Sequence, residues 1–289
     1  MEITGWDLAA VLAKTASYAA TFGAAGAIFF LSYAGGLRDA RRRSFLRDVL
    51  VLSAVAACAS VARVLLLTAS MSGNFADMFD VSSAGMILSA GEGWAVALRL
   101  LGLLLCMAAF KAGRFCNAAA CFGALLAAAS FAAVGHVHAL KPASLPTMIL
   151  ILHLTCIAFW LGALWPLLRV ARDGDTATSA ALAARFGKLA LYVVGLLLAA
   201  GALLAYQLLG SLSALWSSDY GRMLGLKLVL VAALLSAAAV NKLSVTPRLA
   251  GGDAAAAASL RRSIRFEMIV GALILLATAA FTSLSGPAA

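Results

Sequence analysis

The sequence predicts an all-α fold, a polytopic membrane bundle of about eight transmembrane helices, and three observations carry that prediction. Mean hydropathy is +1.00 and 12% of residues are charged, about half the charged fraction of a soluble domain. Several stretches reach the roughly 20 apolar residues that cross a hydrocarbon core as helix. The period-2 alternation of a membrane barrel is absent, so backbone polar groups must be satisfied inside helices.

Eight spans follow from the apolar runs, taken in order: Asp7 to Tyr33, Leu46 to Ala69, Glu92 to Ala112, Cys116 to Gly135, Thr147 to Leu168, Phe186 to Leu209, Tyr220 to Leu243 and Ile264 to Leu284. Gly35-Gly36 with the basic run behind it separates the first two spans. Lys141-Pro142 with Pro146, Asp173-Gly174-Asp175 and Gly251-Gly252-Asp253 punctuate later connections. No connection is long enough for a separate soluble domain, so residues 1–289 are expected to form a single integral membrane domain.

Net charge is +10 with a pI near 9.8, and its distribution argues against nucleic acid as a partner. Arg38, Arg41, Arg42, Arg43 and Arg47 follow the first span, Lys111 and Arg114 the third, Arg169, Arg172, Arg185 and Lys188 the fifth, and Lys242, Arg248, Arg261, Arg262 and Arg265 the seventh. Alternate connections are therefore basic, the positive-inside pattern of a protein whose partner is the lipid bilayer. This places those connections in the cytoplasm and both termini in the periplasm. The segments Met71 to Gly91 and Ser211 to Asp219 carry acids without Lys or Arg, as outside loops do. Glu2 and Asp7 precede the first span and arginines follow it, the reverse of a signal peptide, so a retained first helix is expected.

The chain has three histidines, all close together: His136 and His138 in Gly135-His136-Val137-His138-Ala139, and His153. The topology puts the first two in an outside connection and His153 in the outer half of span five. Histidines at i and i+2 face the same way when the backbone is extended, which a Pro-containing loop permits. An imidazole inside an apolar span needs a partner or a cavity, so His153 is either a functional residue or a hydrogen-bond partner of a neighbouring helix. Cys156 and Trp160 follow at i+3 and i+7 on its helix face, and Met148 opens the same helix. Nitrogen with soft sulfur suits copper in either state, Cu(I) or Cu(II). The predicted metal residues are His136, His138, His153, Cys156 and Met148. Cys58, Cys106, Cys116, Cys121 and Cys156 show no disulfide spacing and read as reduced thiols.

The Gly135-His136 segment and His153-Leu-Thr-Cys156-Ile-Ala-Phe-Trp160-Leu-Gly162 resemble the copper resistance protein D (CopD) family. Tyr220-Gly-Arg-Met-Leu-Gly-Leu-Lys227, Asn241-Lys242, Pro247-Arg248-Leu249 and Leu260-Arg-Arg-Ser-Ile-Arg-Phe-Glu267 are similar to that family's last two helices. The resemblance is strongest over residues 91–285. It implies a bacterial inner-membrane protein of copper homeostasis that moves copper from periplasm to cytoplasm, alongside a small periplasmic copper-binding protein of the CopC type. Leu150 and Ala163 depart from the family pattern, which has an acid and a second glycine at these places.

Arg63, Arg99 and Lys227 lie inside predicted helices, while Glu92, Asp219 and Glu267 fall at predicted helix ends. Helix pairing is the first expectation for these charges, with copper exit or proton coupling as a second role for Glu267 near the cytoplasmic side. Trp160 is expected to line or support the path. Gly23-Ala-Ala-Gly26 and the Ala-rich faces suit close helix packing, and Ala254 to Ala258 reads as a low-complexity loop. There is no Walker sequence, so the chain is expected to be neither an ATP-driven pump nor an enzyme. Two other readings stay open: a haem-binding membrane electron carrier, which needs two axial ligands on facing helices, and a copper sensor or assembly factor that does not transport.

Overall fold

The structure, a computed structural model, describes residues 5–34, 37, 39–134, 144–172, 176–209 and 213–284. Among these, eight helices are long and apolar enough to cross a membrane: Gly5–Tyr33, Asp39–Ser72, Gly91–Phe110, Arg114–Ala133, Ser144–Arg172, Ala177–Leu209, Gly221–Ala250 and Ala255–Ser283. They match the predicted spans in number and order. The protein is a multi-pass helical membrane bundle.

The helices are α1 (Gly5–Tyr33), α2 (Asp39–Ser72), α3 (Val81–Ser89), α4 (Gly91–Cys106), α5 (Arg114–Ala129), α6 (Ser144–Arg172), α7 (Thr176–Leu209), α8 (Ala214–Ser217), α9 (Asp219–Val240), α10 (Thr246–Ala250) and α11 (Ala254–Leu284). Short 3-10 turns extend α4 and α5, and a π-helical turn over Asn241–Val245 joins α9 to α10. The segment between α2 and α4 contains a 3-10 turn, Phe75–Phe79, and α3. Asp80 caps α3 by accepting the Ser83 backbone N–H at 2.7 Å, and that bond holds its carboxyl below the usual carboxylate range.

Several helices outrun their apolar cores. The basic run at residues 41–47 is helical, the first part of α2. Arginine is a good helix former, and α2 is fastened there from α6, whose Arg169 reaches the Asp48 carboxylate and, at 2.7 Å, Ser44 Oγ.

The alanine patch at 254–258, read from sequence as loop, forms the first turns of α11. Alanine has the highest helix propensity. Asp253 supplies the start signal, its Oδ1 accepting the Ala255 N–H at 2.8 Å while Oδ2 takes Arg248 Nε at 3.0 Å and Nη2 at 2.7 Å. The guanidinium holds the Asp253 carboxyl below its ordinary range. Glu267 therefore does not stand near a cytoplasmic helix end. It is close to the middle of α11 and 3% exposed.

Helix α1 occupies the centre, packed against α2, α4, α5, α6 and α11. Glycines permit the closest crossings. A Cβ on Gly26 would lie 2.2 Å from Ala158 O and 2.4 Å from Gly162 Cα, and one on Gly102 would lie 2.5 Å from Ala127 N. Two apolar cores result. The first joins α1, α2, α4 and α5 around Phe22, Leu46, Val49, Leu103 and Phe131. The second joins the end of α1 to α6, α7 and α9–α11 around Phe30, Trp160, Leu164, Leu168 and Ile264. The apolar windows of Ala177–Leu209 and Gly221–Ala250 are only 17% and 6% buried, so their side chains form the bundle's outer, lipid-facing wall.

The charges inside the spans are placed by the same packing. Arg63 Nε meets Glu92 Oε1 at 2.7 Å, with both side chains mostly buried. Arg99, 3% exposed, donates to Ser130, Ser60 and Ser17 Oγ at 3.1, 2.9 and 3.3 Å and lies 3.8 Å from the Phe131 ring centroid. Three hydroxyls and an aromatic face thus do for Arg99 what a carboxylate does for Arg63. Lys14 reaches Thr282 O at 3.3 Å and Ser283 Oγ at 3.4 Å, joining α1 to α11. Arg63→Met, which strands Glu92, is expected to cost about 3 kcal/mol. The double variant Arg63→Met/Glu92→Met should recover most of it in thermal unfolding in detergent.

Candidate functional site

Helix α6 carries most of the predicted site. Apolar side chains over Met148–Trp165 drive it into the bilayer, and Pro166 inside it removes the N–H that would bond the Gly162 carbonyl. The ladder is thus interrupted where α1 crosses at Gly26. His153 lies about 14 Å along the axis from Ser144. It is half-buried, with Nδ1 3.2 Å from Leu197 O on α7. A carbonyl only accepts, so Nδ1 carries the proton and Nε2 keeps its lone pair. Metal-binding histidines are held by this same arrangement of a second ring nitrogen on a backbone carbonyl.

The fit is tight because of a glycine on α7. A Cβ on Gly201 would meet the imidazole at 3.1 Å. Lys227, on α9, acts electrostatically on the ring. From sequence it was expected to pair with an acid.

One turn further along, Cys156 is 4% exposed, and Trp160, at 2%, belongs to the same core. They stay on the face of His153 as the i+3 and i+7 spacing requires. Met148 lies elsewhere. It is 67% exposed on α6, turned well away from the direction of His153. His136 and His138 lie outside the described residues. Among the described residues no three of His, Cys, Asp or Glu come together as a metal-binding group, so α6 by itself offers one imidazole and one thiol.

Further down the same face is a cluster that sequence reasoning dispersed over three helices. The Trp160 indole lies beside the Glu267 carboxyl, and Asn241 Nδ2 donates to Glu267 Oε1 at 2.5 Å. Asn241 is the first residue of the π-helical turn, a feature frequent at functional sites. Asn241-Lys242 and Glu267 were both legible as motif pieces. Their meeting depended on the depth of Glu267, which the alanine patch concealed.

Two family models match the chain. Residues 5–144 match the N-terminal domain described as copper resistance protein D-like, and residues 180–281 match copper resistance protein D. Together they cover most of the chain.

The chain belongs to the copper resistance protein D family.

Within this CopD chain the two matched stretches follow the two apolar cores, and α6, with His153, Cys156 and Trp160, connects them. A protein of Bacillus subtilis (strain 168) named copper transport protein CutJ is 28% identical over 170 residues, covering 57% of this chain and 30% of the relative. The CopD chain therefore spans less than a third of that relative's length. No solved structure matches it.

Proposed function

We propose that this CopD protein carries copper across the bacterial inner membrane from periplasm to cytoplasm, acting as a carrier and not as an enzyme. The observation that carries the reading is His153: an imidazole within an apolar helix, with Nδ1 committed to the Leu197 carbonyl and Nε2 left for a metal. The family is one of copper resistance, and the name of the Bacillus relative is that of a copper transporter.

In this reading copper, as Cu(I) or Cu(II), is the substrate. His136 and His138, in the connection leading into α6, capture it with His153. Cys156 then offers a soft donor one turn inward, and Trp160 walls the path. A small periplasmic copper-binding protein of the CopC type delivers the ion to the outer face. Both termini face the periplasm, since eight crossings return the chain to its starting side and the basic connections stay inside.

The test is copper uptake by proteoliposomes containing the purified protein against protein-free vesicles. Uptake well above the empty vesicles is expected, and equal uptake in both overturns the reading. Copper stoichiometry after His136→Ala and His138→Ala reads the capture site. Each replacement is expected to weaken retained copper, and unchanged binding in both would remove the loop from the ligand set. A strong Soret band with stoichiometric iron would instead establish a haem protein.

A further inference from the structure

The cluster beneath the copper face holds a carboxyl with an unusual set of neighbours. Glu267 is buried at 3% exposure, midway along an apolar helix, where a charged side chain is costly without a partner. Its hydrogen-bonding partner is the Asn241 amide, and an indole, Trp160, lies beside it. Of the charges on the elements around it, Arg262 and Arg265 on α11 are exposed and Lys227 on α9 acts on His153, and the others are engaged elsewhere. Lys242 donates to Gly187 O at 3.0 Å, Arg248 is bound to Asp253, Arg261 reaches Ala171 O at 3.1 Å, and Lys14 binds the far end of α11. On α6, the titratable groups along the face are Cys156, a turn above Trp160, and His153 beyond it.

A second observation points the same way. Asn241 Oδ1 is buried and accepts no hydrogen bond, although Nδ2 of the same amide is bound to Glu267 Oε1. A buried orphan acceptor costs about 1–3 kcal/mol. A carboxylate offers only acceptors, so it cannot relieve this; a carboxylic acid carries an O–H and can. Protonated Glu267 supplies the donor that Asn241 lacks, and amide and acid then pair through two complementary bonds.

We propose that Glu267, paired with Asn241 at the π-helical turn, is a proton-carrying site that exchanges its proton for copper. This inference rests on the carrier reading above. At rest the Glu267 O–H is intact and paired with Asn241. As the copper cation comes past Trp160, its charge favours the carboxylate. The O–H bond breaks, the proton leaves to water on the periplasmic side, and the carboxylate is balanced by one positive charge of the ion. When copper leaves to the cytoplasm, a proton from water on the cytoplasmic side re-forms the acid. Copper and proton thus move in opposite directions through one buried carboxyl.

The experiment has two arms on the full-length protein. Infrared difference spectra of wild type and Glu267→Gln, without copper, read the C=O stretch of a protonated carboxyl. A band at neutral pH that vanishes in Glu267→Gln and shifts in Asn241→Ala is expected; its absence from wild type overturns the proton site. The second arm measures copper uptake with an imposed pH gradient. For one proton exchanged per ion, each pH unit of inside-acid gradient should raise wild-type accumulation by about tenfold. Glu267→Gln, a neutral isostere, should keep outer-site copper binding and lose this response. A response to the gradient equal to wild type in Glu267→Gln overturns the exchange. If wild type takes up no copper at all, the carrier reading and the exchange fail together, while the infrared arm still decides whether Glu267 holds a proton.

Discussion

Replacement of His153 by alanine is expected to lower copper uptake by proteoliposomes by roughly 10- to 100-fold or more, since removing only the hydrogen-bond partner of a metal-binding histidine already costs that range. The effect is large for a geometric reason. Nδ1 is held on Leu197 O at 3.2 Å and the ring lies against Gly201, so α7 orients the imidazole and no neighbouring side chain of α6 can take its place. His153→Gln retains a hydrogen-bonding group of similar reach, but it cannot both donate to Leu197 and offer an imidazole nitrogen. It is expected to fold as wild type and to be nearly as inactive as the alanine variant. An elution profile in detergent that matches wild type, together with lost uptake, separates the loss of a ligand from loss of the fold. Equal flux in wild type and His153→Ala would remove His153 from the transport path.

Gly26→Leu and Gly162→Leu are expected to have the largest effects on stability, about 3 kcal/mol or more each. A Cβ at Gly162 would lie 2.2 Å from Phe22 O and 2.5 Å from Gly26 Cα, and the reciprocal contacts at Gly26 are equally short. These are backbone atoms, which have no rotamer by which to move away. Relief requires α1 and α6 to separate, and that opens both apolar cores and shifts the helix bearing His153, Cys156 and Trp160. Gly187 and Gly195 on α7 serve as controls, because nothing lies within 4 Å of a Cβ at either. Alanine there should be neutral or stabilising by up to about 1 kcal/mol through helix propensity. Thermal unfolding in detergent compares the four variants. A midpoint for Gly26→Leu as high as that for Gly187→Ala would show that the crossing is looser than the distances say.

How far the site was legible in the sequence differs residue by residue. His153 stood out because an imidazole in an apolar span has few inexpensive placements, and its helix face with Cys156 and Trp160 follows from spacing alone. Met148 could be judged from spacing in the same way. It is only five residues from His153, yet it lies on the exposed side of α6, since five residues turn a helix well away from its starting face. Glu267 was visible as an acid but misplaced in depth. Hydropathy marks the apolar part of a helix, whereas α11 begins at Ala254, where alanine propensity and the Asp253 cap govern.

Arg63 and Glu92 were each conspicuous, but their pairing was not, because Glu92 is also seven residues from Arg99 on one helix. The choice fell to the serines around Arg99. Ser17, Ser60 and Ser130 come from three other parts of the chain and satisfy it where no spacing rule would find them.

By itself, the sequence determined the eight-helix membrane class, the order of the spans, the basic side of the bundle and the family, because hydropathy, charge and motif are properties of local stretches and sum residue by residue. Only the tertiary structure decided which faces meet. The crossing of α1 and α6 at Gly26 and Gly162, the Leu197 carbonyl on His153, and the union of Trp160, Asn241 and Glu267 all depend on helices distant in the chain. Within a bilayer every helix is apolar to its neighbours, so hydrophobicity cannot select among them. The selection rests on how closely small residues let backbones approach and on which buried polar groups find partners.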